Sequence, residues 1–100
     1  MRDYRFTEMA NEDLQGIFDY ISTNLSAPDA ASNLIDEIEQ QINRICEFPL
    51  TCPLLEDAIL RDKGYRRLNV QNFSLFYLID DNLLIVERVL YGRRHFERLL

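Results

Sequence analysis

The chain has 100 residues, a net charge of −6 and 47% hydrophobic residues, which is enough for one domain with a modest core and too little for two. That composition excludes wholesale disorder, and no apolar run approaches the roughly 18 residues of a membrane span. The opening MRDYRFTEMANED holds no apolar signal segment, so a single domain over residues 1–100 in the cytoplasm, away from membranes, is expected.

Asp3-Tyr4-Arg5-Phe6 alternates polar and aromatic residues and predicts a short strand. Thr7 is placed to cap a helix, with Glu8, Glu12 and Asp13 near its positive end. Ala10, Leu14, Ile17, Phe18, Ile21 and Leu25 then recur at threes and fours, which predicts one apolar helix face up to about Asn24. Ser26-Ala27-Pro28-Asp29 reads as a second start, with Ser26 as cap and Pro28 in the first turn. Ala31, Leu34, Ile35, Ile38, Ile42 and Ile45 carry its stripe to Cys46. The outer faces of both helices are acidic (Glu12, Asp13, Asp19, Asp36, Glu37, Glu39), and so short a join predicts an antiparallel hairpin.

Phe48-Pro49 to Pro53 ends the second helix, because proline cannot continue it. Leu54 to Lys63 reads as an irregular connection with room for a turn of helix, and Gly64 opens a β half. Tyr65 to Val70 predicts a strand, and Phe73 to Ile79 is apolar enough for a central strand covered on both faces. Asp80-Asp81-Asn82 is a tight turn, after which Leu83 to Tyr91 returns antiparallel and Gly92 ends the strand. Arg93 to Leu100 forms a short basic tail, with Phe96, Leu99 and Leu100 available for docking. The expected fold is α+β in the order β-α-α-β-β-β, a helical hairpin packed on one face of a small antiparallel sheet.

Charge is unevenly spread. Residues 1–50 carry three cations against ten acids, whereas residues 51–100 carry eight against seven, including Arg66, Arg67, Arg88, Arg93 and Arg94. A generic nucleic-acid coat is basic overall, since neutralising phosphates drives its affinity. Arginines gathered on an acidic body suit a specific contact instead. Arg66 and Arg67 are consecutive on a strand and point to opposite faces, while Arg93, Arg94 and His95 come after the Gly92 turn beside Tyr91. The plainer alternative is that these cations are solvated and pair with acids such as Glu87 and Glu97.

The one histidine, His95, has only a terminal-tail neighbourhood to work in, so no Ser-His-Asp set is expected. With no phosphate-cradling glycine loop, dinucleotide fingerprint or paired metal motif, no cofactor and no metal are expected. Cys46 and Cys52 read as small apolar side chains near a helix end. Part of the acidic helical surface, the groove between helices and sheet, or an unpaired sheet edge would suit a partner segment.

Together these patterns resemble the RelE/ParE superfamily, the toxins of type II toxin–antitoxin systems. The resembling stretches are Ala10 to Leu14 and on to Ile21, Pro28 to Leu34, Phe48-Pro49, Gly64-Tyr65-Arg66-Arg67-Leu68, Phe73 to Tyr77, and Arg88-Val89-Leu90-Tyr91-Gly92-Arg93-Arg94. The resemblance implies a growth-inhibiting toxin silenced by an antitoxin whose C-terminal segment wraps it, with promoter DNA contacted through the antitoxin. RelE-like members cut messenger RNA on the ribosome. That branch would cast Arg66 and Arg94 as charge-stabilising cations and His95 or Tyr91 as proton-transfer groups. Two positions depart from it: Ser74 stands where RelE-like enzymes carry an arginine, and Leu100 or nothing matches their C-terminal tyrosine. ParE-like members poison DNA gyrase without that set, and the Gly-Tyr-Arg-Arg-Leu and Val-Leu-Tyr-Gly-Arg-Arg stretches look closer to them. On this branch Arg67, Arg88 and Arg93 would contact the target. A degenerate member that binds antitoxin without toxicity is a third expectation.

Overall fold

Thr7 turns the first strand into the first helix. Its backbone N–H extends the pairing of β1 (Asp3–Phe6) with an N–H···O bond of 3.0 Å to Val86, while its Oγ1 accepts the N–H of Ala10 at 3.1 Å and caps α1 (Glu8–Asp19). The computed structural model describes residues 3–92 and 99–100. None of the described helices is long and apolar enough to cross a membrane.

The first helix continues to Asn24 as expected, but its last turn, Tyr20–Asn24, is a π-helical turn. That widening rotates the chain, and Leu25, the expected end of the apolar stripe, is exposed. Ser26 does not cap the second helix. It adopts a left-handed φ of +50° that reverses the chain, and Ala27 precedes α2 (Pro28–Glu47) with no side-chain cap. Pro28 lacks one of the N–H groups a cap would satisfy, so the start is tolerated without it. Ala31, Leu34, Ile38, Ile42, Ile45 and Cys46 bury the expected face of α2. Each large one contributes about 1.5–3 kcal/mol by leaving water.

The connection after α2 holds a single helical turn, α3 (Ala58–Asp62), capped by Asp57 Oδ1 accepting from Leu60 at 3.0 Å. Gly64, at φ +90°, then turns the chain into β2 (Arg66–Val70). β3 (Phe73–Asp80) and β4 (Leu83–Tyr91) complete a sheet of order β1-β4-β3-β2. The three later strands pair antiparallel, but β1 lies parallel to β4, so the sheet is mixed rather than antiparallel throughout. Strand periodicity encodes which residues face the core and not which neighbour a strand takes; here the last strand returns beside the first.

Both faces of β3 are covered. Leu75 and Tyr77 meet Leu34, Ile38 and Ile42 on the helical side, and Phe76 meets Leu55, Leu60, Tyr65 and Leu90 on the other. The register on β4 jumps: Tyr77 faces Val86 but Phe76 faces Arg88, leaving Glu87 as a bulge. Because of it Val89, three residues after Val86 rather than two or four, returns to the helical core.

Candidate functional site: the arginine-bearing strands

β1 stops opposite Val86, and α1 takes its place along the rest of β4. Thr7 Oγ1 donates to Glu87 O at 2.9 Å, and Asp13 Oδ2 accepts the Val89 N–H at 3.0 Å. The carboxylate therefore satisfies a strand-edge donor that would otherwise need another strand. The same carboxylate holds Arg88 in a two-pronged pair, Nε to Oδ2 at 2.7 Å and Nη2 to Oδ1 at 3.0 Å. The two side chains are only 12% and 16% exposed. These hydrogen bonds raise the guanidinium pKa above its already high ordinary value. Arg88 Nη1 also donates to Leu99 O at 3.2 Å.

Arg67 and Arg88 flank Phe76 in one row across the face opposite the helical hairpin, and the Arg67 guanidinium lies 5.4 Å from the Phe76 ring centre. Arg66, one residue away, faces the helical side and donates from Nη1 to Cys52 O. Its strand partner Tyr77 donates to Pro49 O at 3.1 Å, so both ends of the corner after α2 are tied to the sheet. Burial, then a hydrogen bond to Cys52, pushes the Tyr77 hydroxyl pKa well above the usual tyrosine value. Tyr65 is also raised, by burial and then by the charge of Glu87.

Tyr91 is 55% exposed and meets Phe73 edge-on, with ring centres 5.4 Å apart. Gly92, at φ +70°, donates to Asn72 O at 2.8 Å and fixes the end of the strand. Tyr91 and Arg66 are not brought together. They register with Phe73 and Tyr77, four residues apart on β3, or roughly 13 Å along the strands. Proton transfer needs groups within direct or one-water reach. Arg93, Arg94, His95 and Phe96 lie outside the described residues. Ser74 is buried, and its hydroxyl donates to Asn69 Oδ1 at 2.9 Å on the neighbouring strand.

Asp13 is the residue whose role sequence reasoning missed, since its acidity assigns it to a solvated face. Its helical spacing from Ala10 and Ile17 sets it on the apolar stripe, which is the available signal. Arg88 thus pairs with Asp13, 75 residues away, and not with its sequence neighbour Glu87. Among the described residues no group of three or more His, Cys, Asp or Glu is arranged to hold a metal ion. A groove of about 570 Å³ runs between the first two helices, floored by Leu14, Phe18 and Ile35 and rimmed by Asn11, Gln15 and Asp36.

The fold is shared with solved toxins. The chromosomal ParDE toxin–antitoxin system of P. aeruginosa superposes with a TM-score of 0.74 at 20% identity, covering 93% of this chain and 98% of the other. The RelBE2 toxin–antitoxin complex of Mycobacterium tuberculosis gives 0.61 at 21% identity, covering 92% and 98%. The DinJ–YafQ toxin–antitoxin complex of E. coli gives 0.58 at 18%, covering 90% and 91%. No curated sequence matches significantly. Residues 4–96 match the sequence profile described as the ParE toxin of the type II toxin–antitoxin system, parDE. With the helical hairpin, the mixed sheet and the profile in agreement over nearly its whole length, the chain belongs to the ParE toxin family of type II toxin–antitoxin systems.

Proposed function

We propose that this toxin arrests growth by poisoning DNA gyrase in the cytoplasm, and that a cognate antitoxin silences it by laying a C-terminal segment over the toxin. The observation that carries the choice of target is the fate of the residues an RNA-cleaving site would need. The central-strand position offers a buried serine hydroxyl engaged with Asn69, Arg66 is spent on the Cys52 carbonyl, and Tyr91 stands far from it. A phosphorane-forming step depends on preorganised cations at the developing charge, each worth about 3–4 kcal/mol of barrier. The acidic body, at −6, also fits a highly anionic ribosomal site poorly.

On this reading Tyr91 at the end of β4, Arg67 and Arg88 in the row across the opposite face, and Arg93 and Arg94 contact or support contact with gyrase, and no acid–base pair is required. Promoter DNA is reached through the antitoxin. The test is to assay purified toxin in parallel on gyrase supercoiling and on messenger RNA in programmed ribosomes. Inhibition of supercoiling with intact messenger RNA is the expected result; efficient ribosome-dependent cleavage without any effect on gyrase would replace the reading with a ribonuclease.

A further inference from the structure

β4 changes support in mid-strand. Up to Val86 it is flanked by β1; beyond the Glu87 bulge α1 meets it instead, through Thr7 Oγ1 on Glu87 O and Asp13 on Val89 N–H and Arg88, while Arg88 Nη1 also donates to Leu99 O. A bulge lets a strand slip or bend unless the residues beyond it are held. Here one carboxylate holds them from both sides of a peptide unit: Oδ2 takes the Val89 N–H at 3.0 Å and Arg88 Nε at 2.7 Å, while Oδ1 takes Arg88 Nη2 at 3.0 Å. Two residues further on, Tyr91 is exposed.

We infer that Asp13 is a positioning residue for the toxic surface: through Arg88 and Val89 it sets the register of the end of β4, and so the presentation of Tyr91. This rests on the reading that this end of the sheet contacts the target, but not on which target it is. Arg88 on this account acts as the link between helix and strand and not as a free contact. The arrangement is an ion pair with little solvent access, so removing one partner leaves the other uncompensated. An asparagine keeps the shape and one oxygen acceptor but gives up the charge-assisted pair.

The experiment compares Asp13→Asn with a core variant of equal melting temperature, chosen from Ile42→Val and Leu34→Ala on α2. Each chain is induced without antitoxin at matched cellular levels, and survival is counted. The purified variants are compared by NMR at Tyr91 and Gly92. Asp13→Asn is expected to shift those resonances and to weaken killing at least tenfold more than the core variant. Killing equal to that of the core variant would overturn the inference and reduce Asp13 to a structural role. Should Asp13→Asn fail to fold, Asp13→Glu enters the same comparison, since it keeps the charge on Arg88 but displaces the acceptor from Val89. A separate Arg93→Ala/Arg94→Ala variant distinguishes the failures: if it kills normally, the underlying reading of this surface fails, whereas if it is inactive and Asp13→Asn kills like the core variant, only the positioning role does.

Discussion

At the scale of single residues, Tyr77 shows how one side chain serves both core and corner. Its ring is 1% exposed, and its hydroxyl reaches Pro49 O. Tyr77→Phe is expected to cost about 1 kcal/mol at pH 8, the net worth of one such bond, read by urea unfolding. Its pH signature has a definite sign. The folded-state pKa values of Tyr77 and Tyr65 lie above the ordinary value of 10.0. Below pH 10 both states keep the proton and these groups add no pH dependence; above it the unfolded chain ionises first, so stability falls as pH rises. Tyr77→Phe should lose less stability than the parent between pH 8 and 11, and an equal loss would contradict the assignment. The opposite facing of Arg66 and Arg67 was legible from strand alternation alone. Their partners were not, because Cys52 lies 14 residues from Arg66, and Pro49 lies 28 from Tyr77. Local pattern carries no information at such separations.

At the scale of elements, the stripe of α2 was legible because burial follows the helical period. Within it, Leu34 and Ile35 part company: Leu34 is buried at 1% exposure, and Ile35 is half-buried on the floor of the interhelical groove. Leu34→Ala should therefore destabilise by about 2–5 kcal/mol, and Ile35→Ala by much less, in thermal or urea unfolding. Comparable losses would mean that the groove is as closely packed as the core. The π-helical turn at Tyr20–Asn24, the left-handed Ser26 and the Glu87 bulge were not legible. Each is a local adjustment that lets helices or strands of unequal reach meet, and it is decided by the neighbouring element. The parallel pairing of β1 with β4 belongs with them. Strand sequence showed that β1 exists but could not say whom it joins. The bulge hid the Arg88–Asp13 pair for the same reason, since plain alternation from Val86 would send Arg88 to the other face.

At the scale of the molecule, the uneven charge is the feature that sequence and fold share. The acid-rich first half supplies the hairpin, and Arg66, Arg67 and Arg88 stand on the sheet. An antitoxin that silences the chain by covering its toxic surface should protect amides within residues 64–100 from hydrogen exchange, and no protection anywhere in that span would contradict silencing by cover. The central claim is that this ParE-family toxin stops DNA replication and not translation. It is tested most directly by inducing the chain without antitoxin and following thymidine and methionine incorporation in parallel over the first minutes. A fall in thymidine incorporation that precedes any fall in methionine incorporation is expected; a collapse of methionine incorporation first would contradict the account and make the ribosome the target.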